Sequence, residues 1–544
     1  MPGPAGGRQT CPMGLSLVVR GGTVYDGGGA PGVAADVLVA GDRVVDVGTA
    51  PAEHSGLVID ATGLAVTPGF VNVLSHAWPD LLVDGGAESE LRQGVTTEVF
   101  GEADSPGPAD RAYGDYLRDV YEASVTADFR RLGDGLDAIE RGGVAPNVAS
   151  FVGGANLRYL GAGFADRRLS GPELDRVGGV LAEELQDGAL GLGTALIYPP
   201  GRYADTDELA ALCEVVADHD GLYISHLRSE GDALLESLDE LLTLNERTGV
   251  RAEVYHLKAL GRRNWPKMRQ AVERIALARE AGRPISADMY PYEAGGNPLY
   301  ACVPPRFQDG GPEALAARLA DPAQRREMAA ALRTETAEFE NLFLAAGGGS
   351  GVLLPRDLRD GTPARGRRLD AVAATLGMDD AEALLEVVAR DPWISAVYFF
   401  VDPANLELGL RQPWVSIGSD ASAHPASPPW SERGTHPRTY GTFARVLGHF
   451  CRDRKLFSFA EAVRRMTGLP AETLRLPGRG RLTPGSYADI VVLDPDAVAD
   501  TATWDEPHRY ALGVRDVVVN GVPALSGGMP TGVRPGRRLR RAGS

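Results

Sequence analysis

Two histidines and one aspartate each end a hydrophobic, strand-like segment of this chain. The segments are Leu222-Tyr-Ile-Ser-His226, Ala252-Glu-Val-Tyr-His256 and Trp414-Val-Ser-Ile-Gly-Ser-Asp420. A (β/α)₈ barrel builds its active site from the C-terminal ends of its strands, so side chains at such positions converge. Imidazole nitrogen is a common zinc ligand, and a carboxylate beside a metal can act as a general base. The three residues therefore predict a catalytic metal site with a base next to it.

The segments around these residues repeat with the length of a strand–helix unit. His256 follows His226 by 30 residues, and Asp288, in the next strand-like run, follows His256 by 32. About thirty residues is the length of one such unit. Residues 232–248 carry leucines at helical spacing with carboxylates between them, which is typical of a helix packed on a core. We therefore predict an α/β fold in which residues 67–478 form a TIM-like (β/α)₈ catalytic barrel.

The two ends of the chain predict a second, smaller domain. Residues 15–66 and 479–530 contain short β-branched runs separated by turn residues, which is typical of strands. We expect them to form one small β-sandwich domain made from both ends. Residues 1–14 are expected to be a disordered lead-in. Residues 531–544 form a basic tail, for which we expect a solvated, frayed end.

Between residues 300 and 412 the strand–helix rhythm breaks. This stretch is rich in Ala, Arg and Glu, with helical segments at 312–340 and 369–390. Because it lies between the last two barrel strands, we expect a helical insertion near the barrel mouth. It would serve as a lid or a wall of the substrate pocket, or else be a subdomain without a role in the site.

Composition excludes several classes of partner. The 544 residues carry a formal net charge of −18, which disfavours a nucleic-acid backbone or an anionic membrane surface. No stretch approaches the roughly 18 apolar residues of a membrane span, and the N-terminus lacks the apolar segment of a secretory signal. The four cysteines form no CxxC pair, which fits a reducing cytoplasm and argues against a cysteine-based zinc site.

Several motifs together resemble the amidohydrolase superfamily. They are Thr67-Pro-Gly-Phe-Val-Asn72, the strand ends at His226 and His256, Gly418-Ser-Asp420 and the closing segment 480–489. Within the superfamily, the chain from about residue 15 to 525 is similar to the D-aminoacylase (N-acyl-D-amino-acid deacylase) family. The segments that carry this resemblance are Gly94-Val-Thr-Thr97, Gly188-Ala-Leu-Gly191, His226-Leu-Arg-Ser-Glu230, His256-Leu-Lys-Ala259, Tyr290-Pro-Tyr292, His436-Pro-Arg438, Gly441-Thr-Phe443 and Met466-Thr-Gly-Leu-Pro-Ala471.

The resemblance implies a zinc-dependent hydrolase that removes the acyl group of an N-acyl-D-amino acid or a related acylated metabolite. His226 and His256 would hold one Zn²⁺, whose bound water attacks the amide carbonyl. Asp420 would be the general base and then the general acid. The small N-acylated substrate is the expected partner, and a homo-oligomer is compatible with the sequence.

The family also implies the residues that contact the substrate. Arg438, in the segment His436-Pro-Arg438, matches the position that binds the substrate α-carboxylate, and a guanidinium fork suits that task. His436 in the same segment is expected at the substrate as well. Tyr290 or Tyr292 would contact the substrate from the preceding strand end.

The chain departs from the family at two metal motifs. Asn72 and Leu74 stand where the family has the acid and first histidine of Asp-x-His-x-His, and only His76 remains. Leucine cannot bind a metal, so a second metal site should be weak or absent; His76 is then a lone ligand, a substrate contact or a packed residue. The family's cysteine ligand is also missing. Glu102 is the favoured replacement, with Asp104 as the alternative, and the chain is more similar to a branch with both departures.

Two other functions remain open on the sequence. One is a cyclic-amide hydrolase or a deaminase of the same superfamily. The other is a non-catalytic relative in which the lost histidine has impaired metal binding. The retention of His226, His256 and Asp420 together argues against the second.

Overall fold

The computed structural model describes residues 14–121, 123–336 and 339–543. Nearly all of the expected lead-in therefore lies outside the described residues. Within them, eight parallel strands form the barrel. They are β1 (Phe70–Asn72), β2 (Val95–Phe100), β3 (Asn147–Ser150, continued by Val152–Gly153), β4 (Gly191–Ala195), β5 (Leu222–His226), β6 (Arg251–Val254), β7 (Ile285–Met289) and β8 (Val415–Ile417).

Each barrel strand pairs with the next in parallel, from β1 through β8. A parallel bridge between Ser75 and Ala421 joins the ends of β1 and β8 and closes the barrel. All five residues of β5 are buried, as expected of parallel strands covered on both faces. Closure brings the C-terminal ends of all the strands to one mouth.

Helices surround the barrel in the described residues. They are Arg111–Val120, Leu132–Gly142, Gly154–Ala162, Gly171–Gln186, Thr206–Asp218, Leu234–Thr248, Lys267–Glu280, Pro403–Leu410, Arg438–Arg445, Phe459–Met466 and Gly468–Thr473, with a π-helical turn at Val446–Asp453 and short helices at Trp78–Leu81 and Glu88–Leu91. Helix Leu234–Thr248 buries Leu238 and Leu241, as its leucine spacing predicts. No helix in the described residues has both the length and the apolarity needed to cross a membrane.

The two ends of the chain meet in one hydrogen-bonded sheet. Its strands are Leu17–Val24, Val33–Ala40, Arg43–Gly48, Leu57–Asp60, Ala65–Pro68, Ile490–Leu493, Val514–Val519, Val522–Ser526 and Met529–Pro530. The halves join where Ile490–Leu493 pairs antiparallel with Ala65–Pro68. The sheet has its own apolar core, which includes Val19, Val39 and Ile490. The predicted β domain made from both ends is thus present.

The insertion between β7 and β8 contains a sheet that the sequence did not predict. Ala294–Pro298 pairs antiparallel with Ser395–Phe399, so the two ends of the insertion lie side by side. The other two strands are Val352–Leu354 and Arg367–Arg368, and the helices are Gly311–Arg318, Pro322–Leu332, Leu342–Ala345, Leu369–Leu376 and Asp380–Arg390. The description of the insertion as helical was therefore incomplete.

The basic tail differs from the expected frayed end. Its backbone bonds to β3 on both sides of residue 538: the Val148 amide donates to the Arg537 carbonyl, and the Leu539 amide to the Val148 carbonyl. The Arg538 guanidinium lies 3.0 Å from Asp137 and 2.9 Å from Asp187. The arginines are therefore partners of distant carboxylates, which fixes the tail on the barrel.

Candidate active site

The predicted trio converges at the barrel mouth. His226 is the last residue of β5, and His256 and Asp420 follow β6 and β8 closely. The φ angles of Ala103, His256 and Asp420 are 57°, 33° and 51°. Residues other than glycine rarely adopt this left-handed conformation, which costs about 1–3 kcal/mol and concentrates at functional sites. The barrel thus holds strained backbone where the site is built.

Glu102 links the two strand-end histidines. Its Oε1 lies 2.9 Å from His226 Nδ1 and 2.9 Å from His256 Nε2. All three residues are buried, and their ligand atoms lie within 4.8 Å of one another. Two imidazole nitrogens and one carboxylate oxygen therefore face a common point.

A second group of potential metal ligands shares the Glu102 carboxylate with the first. Glu102 Oε2 lies 3.1 Å from His76 Nε2, and that nitrogen lies 3.0 Å from Asp420 Oδ1. The other oxygen of Asp420, Oδ2, accepts a hydrogen bond of 2.7 Å from Arg438. His76 is thus part of the site, with a side chain that is 24% exposed.

The electrostatics of the cluster favour ionised carboxylates beside cations. Burial would raise the pKa of Glu102, but His256 and hydrogen bonds from the imidazoles lower it well below its usual range. Burial and the Lys258 charge oppose protonation of His256, yet Glu102 and Glu230 raise its pKa to about 10. For His76, burial opposes protonation, but hydrogen bonds to Asp420 and Glu102 raise the pKa to about 9. Positive charge is therefore stabilised at this point.

The donor set fits a zinc ion. Zinc binds imidazole nitrogen and carboxylate oxygen at about 2.0–2.2 Å in tetrahedral geometry, which places ligand atoms about 3.3 Å apart. The observed 2.9 Å contacts need to open only slightly. In a metal-free cluster, protons on His76 and His256 supply positive charge that a metal would otherwise bring.

Glu230 lies behind both imidazoles, a placement that the sequence did not predict. Its carboxylate lies 3.1 Å from His256 Nδ1 and 3.4 Å from His226 Nε2, the nitrogens that face away from Glu102. Lys258 donates to Glu230 at 2.7 Å. Such outer carboxylates fix the orientation of ligand histidines. The signal was available, because both residues belong to the motifs that begin at His226 and His256.

A cavity of about 300 Å³ opens above the cluster. Arg438, Lys258 and Tyr290 line it, as do the first and last strands of the insertion. The Arg438 guanidinium lies over the Tyr290 ring, 4.8 Å from its centroid. Arg438 and Tyr290 therefore lie together in the wall of this cavity.

Two predicted substrate contacts have other roles. Tyr292 is not among the residues that line the cavity; its ring packs against His436 and Trp504. His436 reaches the cavity wall, but its Nε2 faces the Ala294 carbonyl at 3.0 Å and its Nδ1 accepts the Arg438 amide. Both ring nitrogens of His436 thus have backbone partners, one of them the Arg438 amide.

Comparison with known proteins identifies the family of this chain. A family model described as "Amidohydrolase family" matches residues 57–524. The chain belongs to the amidohydrolase family. It is 32% identical to the D-aminoacylase of Alcaligenes xylosoxydans xylosoxydans over 97% of this chain and 98% of that protein. It is also 32% identical to the N-acyl-D-glutamate deacylase of that organism over 97% of each chain.

A solved amidohydrolase structure shows the same fold. The N-acyl-D-glutamate deacylase of Bordetella bronchiseptica, complexed with zinc and a phosphonate inhibitor, matches with a TM-score of 0.81 at 30% identity, covering 97% of this chain and 100% of that one. The predicted family and fold class are thereby confirmed.

The two departures from the amidohydrolase metal motif have structural explanations. Asn72 donates through its amide to Glu98 at 3.1 Å and to the Ser419 hydroxyl at 2.8 Å, so it ties β1 to the end of β8. The Leu74 side chain is buried in an apolar cluster of the barrel interior with Val99 and Phe151. Leu74 therefore contributes to the core where the family pattern has a ligand.

The geometry separates the two carboxyl groups at residues 102 and 104. Ala103 has a left-handed backbone, and the side chains on either side of it diverge. Glu102 faces the histidines, whereas Asp104 accepts a hydrogen bond from the Tyr113 hydroxyl and belongs to neither group of potential ligands.

Proposed function

We propose that this chain is a zinc-dependent amide hydrolase that removes the acyl group from an N-acyl-D-amino acid. The observation that carries the proposal is the convergence of His226, His256 and Glu102 beside Asp420. It occurs in a chain similar over 97% of its length to proteins named D-aminoacylase and N-acyl-D-glutamate deacylase.

His226, His256 and Glu102 would hold one Zn²⁺. When bound, zinc polarises a carbonyl and lowers the pKa of water. The second group, His76, Glu102 and Asp420, lacks an imidazole because Leu74 occupies that position. We therefore propose one tightly held ion and a weak second site at most.

We propose that Asp420 moves the proton. Its Oδ1, now 3.0 Å from His76, would accept a proton from the nucleophile and return it to the leaving amine nitrogen. Burial raises its pKa, but the Arg438 charge and the His76 hydrogen bond lower it to about 2. The substrate α-carboxylate would draw Arg438 away from Asp420, so that substrate binding makes the base more basic.

The surroundings of Arg438 support the proposal that it moves from Asp420 to the substrate α-carboxylate. The guanidinium is buried, and its Nε has no hydrogen-bond partner in the described residues. Lys258 lines the same cavity. Both cations lie over the Tyr290 ring, although Lys258 also pairs with Glu230. A guanidinium can pair both oxygens of a carboxylate.

The proposal is tested by metal analysis and by amine release. Purified protein should contain about one zinc ion per chain and should hydrolyse N-acyl-D-amino acids in preference to their L enantiomers. If the purified protein contains no zinc and binds none when zinc is added, the proposal is refuted. It is also refuted by a preference for cyclic amides, which would indicate a hydantoinase-like activity.

We also propose a reducing, cytoplasmic location, since Cys213, Cys302 and Cys451 are buried free thiols. The homo-oligomer stays a prediction.

A further inference from the structure

One wall of the cavity consists of three tyrosines and an aspartate. This wall begins after the end of β2. Lys258 follows β6, four strands further around the barrel, so it lies on a different side of the cavity. Asp104, Tyr113, Tyr116 and Tyr121 line the cavity there. We call these four residues the tyrosine–aspartate wall. The zinc cluster and the proposed base do not use it.

Asp104 offers a free acceptor to this cavity. Its Oδ1 accepts the hydrogen bond from Tyr113. Within the described part of the chain, no side chain donates to its Oδ2, and no arginine or lysine forms an ion pair with it.

Tyrosine side chains lie beside this carboxyl group in the cavity wall. The centroids of Tyr113 and Tyr116 are 5.7 Å apart in a stacked arrangement. Tyr121 continues the wall towards the metal cluster, with its centroid 6.2 Å from that of His76. The wall therefore offers the cavity a carboxylate that has no arginine or lysine partner in the described residues, and such a group attracts a cation and repels an anion.

We propose that the tyrosine–aspartate wall selects substrates by recognising an ammonium or similar N–H donor and by rejecting a carboxylate. This inference rests on the proposed function and names its substrate class. The donor belongs either to the amino-acid side chain or to the acyl group. The selectivity would oppose that of a relative named for N-acyl-D-glutamate, whose substrate carries a second carboxylate.

The test compares matched substrates in two series. The side-chain series consists of the Nα-acetyl derivatives of D-lysine, D-norleucine and D-glutamate, whose side chains are cationic, neutral and anionic. The acyl series is D-leucine acylated with glycyl, propionyl and malonyl groups. In at least one series we expect kcat/KM for the cationic member to exceed that for the anionic member by about tenfold or more, because unit charges interact strongly in a partly buried site. The series that shows the preference identifies the source of the donor.

Asp104→Asn tests the residue itself. It should lower the ratio of cationic to anionic kcat/KM by about tenfold, since it removes the charge that sets the ratio. Asp115→Asn is the matched control. Asp115 lies on helix Arg111–Val120, pairs with Arg118 and does not line the cavity, so its ratio should equal that of the wild type.

Failure of this inference can be distinguished from failure of the proposed function. A ratio near one in both series, or the same ratio in Asp104→Asn as in the wild type, would overturn the inference while leaving the proposed function intact. If no compound is hydrolysed, the proposed function fails. Calorimetric binding of the same compounds then decides the inference: tighter binding of the cationic members supports it, and equal or weaker binding overturns it.

Discussion

Substitution Glu102→Gln tests the third ligand. Glu102 faces His226, His256 and His76 at 2.9, 2.9 and 3.1 Å. Glutamine keeps the size of the side chain but removes the charge, and it places an amide where the geometry favours an anionic oxygen. Asp104→Asn is the matched control, because it removes a carboxylate two residues away that faces Tyr113 instead.

The size of the effect follows from the position of Glu102. Loss of an outer residue that only orients a ligand histidine lowers metal affinity roughly 10–100-fold. Glu102 is one of three proposed direct ligands, so its loss should exceed the upper end of that range, more than about 100-fold. Asp104→Asn should leave zinc affinity within the scatter of the wild-type value.

The assay is a zinc titration of chelator-stripped protein against a competing coloured chelator, with zinc content measured after dialysis. If Glu102→Gln binds zinc as tightly as the wild type, our ligand assignment is wrong. It is equally wrong if Asp104→Asn loses zinc to the same extent.

Three further predictions concern the same site. Glu230→Gln should weaken zinc binding roughly 10–100-fold. The control Glu340→Gln should not, because Glu340 is a half-buried acid that accepts a hydrogen bond from the Glu230 amide and forms no ion pair with either imidazole in the described residues. Equal losses would contradict the orienting role. Zinc affinity should rise with pH from 6 to 8, about tenfold per unit for each proton displaced, because His256 has a pKa of about 10 in the metal-free protein; a flat profile would contradict it. Arg438→Lys should raise KM for an N-acyl-D-amino acid about tenfold through loss of the guanidinium fork. The KM for an analogue without the α-carboxylate should change less. Equal changes in the two KM values would refute the contact between Arg438 and the carboxylate.

The strand-end residues could be predicted because periodicity fixes them. A side chain that ends a parallel barrel strand must point to the mouth, so His226, His256 and Asp420 could be placed without coordinates. The choice between Glu102 and Asp104 could not be made, since it depends on the left-handed backbone of Ala103. Alanine carries no sequence signal for that conformation.

Other features depend on contacts between distant parts of the chain. The tail was expected to be solvated because it is rich in arginine, yet Arg538 pairs with Asp137, some 400 residues earlier. The sheet of the insertion includes strands as short as Arg367–Arg368, which have no readable alternation. Glu230 and Lys258 lay in recognised motifs, but their contacts with the histidines became visible only when β5 and β6 were side by side.

Release of free D-amino acid by wild-type and Asp420→Asn protein, each before and after zinc removal, tests the central claim most directly. We predict turnover by zinc-loaded wild type, loss on chelation, recovery on zinc addition, and a rate about 10²–10⁴-fold lower in Asp420→Asn because a general acid–base is removed. Undiminished turnover after zinc removal, or in Asp420→Asn, would contradict the account.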